Sequence, residues 1–141
     1  MKSARDYIYL SLLTLGLAAC LGCGGGGGDK TPATISSVAV TPSSFDYHGG
    51  QANVTVVASD NASPPAALQV AASLIEPATQ TVVAGPTSLP LISGNTFAGA
   101  LAVPSNLNIE PQTYLVRATA RDASNNVATN ESLSVSVEGL T

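Results

Sequence analysis

Hydrophobic and polar residues alternate along most of the chain after Ile35. Such alternation is typical of β-strands that bury one face and expose the other. The clearest series of apolar positions are 54–58, 68–74, 114–120 and 133–137. Weaker strands are predicted around Val38 and Val40, from Phe97 to Val103, and from Thr79 to Ala84, the last paired loosely with Leu89 to Ile92.

Residues that favour turns separate these segments. Clusters of Gly, Pro, Asn, Asp and Ser occur at 41–44, 48–50, 61–65, 85–86, 93–95, 104–108 and 122–126. No segment combines a helical period with capping residues. About seven short strands at this spacing predict an all-β fold, a single antiparallel β-sandwich rather than a barrel or an α/β fold.

Composition limits the classes of partner. The 141 residues include five basic and nine acidic side chains, for a net charge of -4. Binding to nucleic acid requires clustered Lys and Arg, which this chain lacks, so no nucleic-acid partner is expected. The hydrophobic share of 45% favours one modest β-rich core over a disordered tail.

The first residues have the pattern of an export signal. Lys2 and Arg5 precede an uncharged, apolar segment from Tyr7 to Ala19. A membrane-spanning helix is the alternative, but the segment is shorter than the required length of about 20 residues. Glycines rather than basic residues follow it. Residues 1–19 are therefore predicted to be a signal peptide.

The end of this segment, Leu17-Ala18-Ala19-Cys20, resembles the lipobox of bacterial lipoproteins. The resemblance implies diacylglycerol, carrying fatty acids such as palmitate, on the Cys20 thiol, cleavage between Ala19 and Cys20, and commonly a further acyl chain on the new amino terminus. Because each buried methylene contributes about 0.8 kcal/mol, two or three acyl chains would hold the protein firmly in the membrane. Leu21 stands where an aspartate favours the inner membrane in enteric lipoproteins. The expected location is thus the bacterial cell envelope, at the periplasmic or surface face of the outer membrane.

Cys20 and Cys23 also have the C-x-x-C spacing of redox and zinc sites. A zinc site needs four ligands, and His48 is the only histidine. Cys23 is a poorer cleavage site than Cys20, because a cysteine stands where the lipobox has a branched apolar residue. A second acylation or an intermolecular disulfide at Cys23 stays open.

Five glycines, Gly24 to Gly28, predict a flexible tether that covers residues 20–33. A phosphate-binding loop is the alternative for a Gly-rich stretch followed by Lys30 and Thr31. That site also needs a helix, which Pro32 and the following pattern do not support.

The predicted domain, residues 34–141, resembles the bacterial immunoglobulin-like and fibronectin type III-like domains over residues 34–138. The resemblance lies in Ile35 to Pro42, in Gly49-Gly50 and the strand after it, in Pro111 to Asn126, and in the final Val-rich strand. It implies an immunoglobulin-like sandwich. Pro111-Gln112-Thr113-Tyr114 is similar to the start of a tyrosine corner, which implies that the Tyr114 hydroxyl ties its strand to the preceding loop.

The sequence offers little for catalysis. His48 stands in a turn beside Asp46, and no second base or nucleophile accompanies it in the expected domain. Phe45 and Tyr47 lie in one loop and are weak candidates for an aromatic surface that binds sugars. The alternative is that Phe45 closes one end of the sandwich. No enzyme activity and no cofactor are expected.

Calcium binding is a more serious alternative than catalysis, because loops of related sandwiches can bind calcium through oxygen ligands. If the strand ends meet at one pole, a weak site can form from oxygen-bearing residues of two loops, namely Asp60, Asn61, Asp122, Asn125 and Asn126. The alternative is that these residues only shape turns, which Asp and Asn favour.

The sequence therefore predicts a membrane-anchored lipoprotein with one non-catalytic immunoglobulin-like domain. That domain would act in the cell envelope as an interaction, adhesion or structural module with a protein or glycan partner. Contacts would use the loops at one pole or an open sheet edge. The alternative function is a ligand-binding module for surface glycan or calcium.

Overall fold

A computed structural model describes residues 28–141 of the chain, which form nine strands and one short 3-10 helix. The strands are β1 (Thr34–Thr41), β2 (Ser44–Phe45), β3 (Gly50–Ser59), β4 (Gln69–Glu76), β5 (Thr81–Leu89), β6 (Leu91–Ser93), β7 (Thr96–Val103), β8 (Gln112–Arg121) and β9 (Val127–Val137). The 3-10 helix covers Pro65–Ala67. The short strand β2 was not predicted, whereas β6 overlaps the segment Leu89 to Ile92 that was expected to pair with Thr79 to Ala84.

The strands form two sheets that face each other. One has the order β1-β3-β7-β6 and the other β2-β9-β8-β4-β5. All pairs are antiparallel except β2 with β9, which is parallel. The predicted all-β, immunoglobulin-like sandwich is confirmed.

Alternate residues of both sheets build the core, as the period of two requires. The predicted inward positions of β3 and β4 are buried, and Ala52 and Val103 extend the same faces. The largest fully buried side chains are Phe97, Leu74, Ile75, Leu101, Val54, Val56, Val116, Val135 and Val137. The core is therefore rich in β-branched residues, which pack well on a pleated surface.

The predicted pairing of Thr79 to Ala84 with Leu89 to Ile92 is wrong. β5 is one continuous strand that pairs with β4, whereas β6 pairs with β7 in the other sheet. The Gly85-Pro86 step, predicted as a turn, lies inside β5 opposite an irregularity in β4. Gly85 has φ of 84°, and a Cβ there would lie 2.7 Å from the carbonyl oxygen of Ala72. Glycine is thus required by the close approach of two strands rather than by a turn.

The topology gives the sandwich two distinct poles. β1 runs antiparallel to β3 with Thr34 opposite Ser59, so the chain enters the fold beside the end of β3. The turn between β8 and β9 lies at the same end, which we call the aspartate pole because it carries Asp29, Asp60 and Asp122. The opposite pole carries the 46–49 turn, the 104–111 loop and the end of β9.

Within residues 28–141 no helix has the length and apolar character that a membrane crossing requires. The predicted signal peptide, the cleavage site at Ala19 and the lipidation site at Cys20 lie outside the described residues. The same holds for Cys23 and most of the glycine run.

Candidate metal centre

Three carboxylates converge at the aspartate pole. Asp60 follows β3, Asp122 follows β8, and Asp29 belongs to the segment that leads into β1. One oxygen of each carboxylate lies within 4.8 Å of one oxygen of each of the others. Among the described residues, no Lys or Arg side chain forms an ion pair with any of the three. The pole thus concentrates negative charge that the described basic side chains do not neutralise.

The β8–β9 turn holds Asp122 in a fixed orientation. Its Oδ1 accepts hydrogen bonds from the backbone N–H groups of Ser124 at 2.8 Å and Asn126 at 2.9 Å. Its Oδ2 accepts one from the Asn126 side-chain amide at 2.7 Å. The residue is only 3% exposed. Asp122 is therefore a preorganised carboxylate, since its own loop supplies the donors.

The loop after β3 orients Asp60 in a similar way. Its Oδ2 accepts hydrogen bonds from the backbone N–H of Ser63 at 2.7 Å and of Ala62 at 3.1 Å. The Ser63 hydrogen bond is the main reason why the pKa of Asp60 lies below its ordinary value. The Ser63 hydroxyl accepts a bond from the Ala123 N–H at 3.2 Å, which joins this loop to the β8–β9 turn. The two loops therefore form one connected unit.

Asp29 is held by fewer contacts. Its Oδ1 accepts a hydrogen bond from the backbone N–H of Thr31 at 3.0 Å, and its backbone carbonyl accepts one from the Asn126 side chain at 2.8 Å. Its Oδ2 is fully buried and has no hydrogen-bond partner. The same is true of Oδ1 of Asp60. Buried polar atoms without partners are rare in folded proteins and call for an explanation.

A hard divalent cation fits this arrangement. Oxygens that bind one Ca²⁺ at about 2.4 Å lie at most about 4.8 Å apart, and the three carboxylates meet that limit. The donors are all oxygens, which suits Ca²⁺ or Mg²⁺ rather than Zn²⁺. A cation would give the two buried oxygens a partner and reduce the repulsion among three like charges. Ca²⁺ fits better, because it tolerates the irregular geometry that loop ligands provide.

The structure thus brings together two of the residues expected to form a calcium site, Asp60 and Asp122. Asn126 takes part as a hydrogen-bond donor to Asp122 and Asp29. Asn125 is exposed and has φ of 69°, so its observed contribution is to the shape of the turn. Asn61 is also exposed.

Asp29 is the residue that sequence reasoning missed. The glycine run led to a description of residues 20–33 as a tether, and tethers are not expected to supply ligands. No local pattern in the sequence indicates this role, because it depends on strand pairing. An antiparallel pairing of the first strand with the β3 segment places the chain before β1 next to the loop after β3, where Asp60 stands.

The other candidate residues lie elsewhere. Tyr114 is buried in the core at 9% exposure, and its role as a tyrosine corner stays a prediction. The 104–111 loop is tied down by Asn106, whose side chain donates to the carbonyl groups of Glu110 at 2.8 Å and Glu138 at 3.2 Å. Phe45 packs against the core from the opposite pole.

The solvent-exposed His48 ring also lies at the opposite pole. It stacks on Tyr47 with 3.9 Å between ring centroids, and its Nδ1 lies 3.4 Å from Oδ1 of Asp46. The carboxylate cluster at the aspartate pole is therefore separate from the histidine.

Comparison with known proteins adds no constraint on these assignments. A scan of the chain against protein-family models finds no match, and a search among curated proteins finds no similar sequence.

Proposed function

We propose that this chain is a membrane-anchored lipoprotein whose β-sandwich is a non-catalytic, calcium-binding module of the bacterial cell envelope. The observation that carries the calcium assignment is the pair of buried carboxylate oxygens, Oδ2 of Asp29 and Oδ1 of Asp60, that have no hydrogen-bond partner. The lipobox at Leu17 to Cys20 supports the anchor. The role of the module is to present an interaction surface near the membrane.

The sheet edges offer a surface for such an interaction. β5 is an outer strand of the five-stranded sheet and exposes Val82 and Val83, which are 45% and 39% accessible. Outer strands leave backbone donors and acceptors free for pairing with an extended partner strand. Crosslinking and affinity capture from intact cells, with Val82→Lys as a comparison, test this surface. The unaltered protein should capture a specific partner that the Val82→Lys variant fails to capture. If both proteins capture the partner equally, β5 is not the contact surface.

Thermal unfolding in Ca²⁺ and in EDTA tests the cation site. At a Ca²⁺ concentration a hundredfold above Kd, binding to the folded state raises the melting temperature by about 10 °C. Asp60→Asn and Asp122→Asn each remove one charged ligand and should weaken Ca²⁺ affinity by at least about tenfold. The matched control is Asp46→Asn, since Asp46 also accepts a hydrogen bond from the N–H two residues later but lies at the opposite pole. Equal melting temperatures in Ca²⁺ and EDTA would exclude the site.

Metabolic labelling with a palmitate analogue tests the anchor. Cys20→Ala should abolish labelling and leave the signal peptide attached, whereas Cys23→Ala should retain both labelling and cleavage. Undiminished labelling of the Cys20→Ala protein would contradict the lipobox assignment.

A further inference from the structure

Asp29 is the last acidic residue before β1 and directly follows the glycine run. Its backbone carbonyl and its side chain both lie against the aspartate pole, and Ala33, four residues later, is buried in the core at 4% exposure. The part of the tether that the structure describes is thus docked on the sandwich before β1 begins. The docked residues are 29–33, which we call the tether clasp.

The three carboxylates differ in how firmly the protein holds them. Asp60 and Asp122 each accept two backbone N–H bonds from their own loops, and these loops are joined through Ser63 and Ala123. Asp29 is joined to the rest of the domain by the Asn126 amide, and its other bond goes to Thr31 within the clasp. Without a cation, repulsion among the three carboxylates acts most effectively on Asp29, because its segment is the least restrained.

We propose that a divalent cation at this site controls the tether, docking residues 29–33 when bound and releasing them when removed. The inference rests on the proposed calcium site and adds Asp29 as the ligand that comes from the tether. Its buried Oδ2, which has no partner, is the atom that would bind the ion. Calcium would thereby couple the ionic composition of the medium to the position of the domain relative to the membrane.

Docking shortens the stretch of chain between Cys20 and the first docked residue. Asp29 stands nine positions after Cys20 and Ala33 stands thirteen, so docking places the first held residue four positions closer to the anchor. The maximal span falls from about 45 Å to about 30 Å on docking. Docking also fixes the direction in which the tether leaves the sandwich, which limits the orientations that an anchored domain can adopt.

Limited proteolysis of the full-length protein tests this proposal. Trypsin cleaves after Lys30, which is exposed and lies within the clasp, whereas Arg117 and Arg121 lie in β8. A protease needs a locally unfolded segment, so cleavage at Lys30 reports release of the clasp. At a Ca²⁺ concentration ten times Kd, the cleavage rate should be about tenfold lower than in EDTA. Hydrogen exchange at the Thr31 amide should slow by a similar factor without any substitution.

Two variants distinguish calcium-controlled docking of the tether clasp from calcium binding itself. Asp29→Asn removes both the ligand and the repelled charge, so its rate of cleavage at Lys30 should be the same in Ca²⁺ and in EDTA, and Asp46→Asn should behave as the unaltered protein does. If Ca²⁺ raises the melting temperature but leaves Lys30 cleavage and Thr31 exchange unchanged, the clasp is overturned and the calcium site stands. If Ca²⁺ changes none of these, both proposals fail. Calcium protection of Lys30 that persists undiminished in Asp29→Asn would overturn the assignment of Asp29.

Discussion

The side-chain amide of Asn126 donates a hydrogen bond of 2.8 Å to the backbone carbonyl of Asp29, 97 residues earlier in the chain. The same amide donates to Oδ2 of Asp122 at 2.7 Å. One side chain thus connects the start of the fold to the turn between its last two strands. Both partners of each bond are protein groups, and together they join the tether clasp to the β8–β9 turn.

Replacing Asn126 with alanine should therefore weaken the metal-free domain. In the metal-free protein, where the clasp is proposed to be released, the change still removes the hydrogen bond to the buried Asp122 carboxylate, so the free energy of unfolding should fall by about 1–3 kcal/mol. Denaturant unfolding in EDTA measures it. Asn53→Ala, at an exposed position of β3, is the control and should change stability by less than about 0.5 kcal/mol. Equal stability of the two variants would contradict the structural role of Asn126.

Ionisation of Asp60 should not limit calcium affinity until the solution is acidic. Hydrogen bonds from the N–H groups of Ser63 and Ala62 hold the pKa of Asp60 below its ordinary value of 3.8. Asp60 therefore stays ionised, and available to a cation, down to about pH 4. Isothermal titration with Ca²⁺ from pH 7 to pH 4, compared between the unaltered protein and Asp60→Asn, should show no loss of affinity that depends on Asp60 above about pH 5. A loss of affinity that begins between pH 7 and pH 6 in the unaltered protein alone would contradict this expectation.

Glu76 should make the fold sensitive to acid. The Thr79 hydroxyl donates to its carboxylate at 2.7 Å and the Thr79 N–H at 2.6 Å, and these bonds lower the pKa of Glu76 from its usual 4.5. Because the folded-state pKa is the lower one, the stabilisation is present above pH 4.5 and is lost as the pH falls through the lowered value.

Glu76→Gln should accordingly lose less stability than the unaltered protein between pH 5 and pH 3. Thr79→Ala removes the hydroxyl donor and should show an intermediate dependence. Chemical denaturation across this range measures both, and parallel pH profiles for all three proteins would refute the role of Glu76.

Gly85→Ala should destabilise the five-stranded sheet. An alanine there requires φ near 84°, and its Cβ would lie 2.7 Å from the Ala72 carbonyl oxygen, so the two strands must separate. A loss of about 2–4 kcal/mol is expected, which combines backbone strain with the steric conflict. Gly94→Ala is the matched control, because Gly94 also has positive φ, at 49°, but has no atom within 4 Å of the added Cβ. Its loss should be about 1 kcal/mol.

The period of two was enough to locate the strands, since burial on one face leaves a direct trace in the sequence. The passage of the chain from one sheet to the other after Leu89 is not visible in the alternation of hydrophobic and polar residues. Gly85 and Pro86 have the composition of a turn, yet they accommodate a close approach of β5 to β4, while the chain changes sheets at Pro90, between Leu89 and Leu91. Composition indicates where a backbone departs from regular geometry but does not identify the reason.

The candidate metal site, like the fold, could be predicted only in part from the sequence. Asp60 and Asp122 were identifiable because each ends a strand that the alternation marks clearly. Asp29 was not, because the pairing of β1 with β3 places it at the site, and strand pairing is non-local information. The inward direction of the Asn126 amide also depends on the folded turn rather than on residue type.

The two poles also determine how the sandwich would carry mechanical force. β1 starts at the aspartate pole, and β9 starts there too and ends at the opposite pole, so a pull between Asp29 and Val137 acts nearly parallel to the strands. Such a pull loads the hydrogen bonds of the β1–β3 and β8–β9 ladders together rather than one after another. A domain held at its aspartate pole is therefore suited to resist a load applied to its far end.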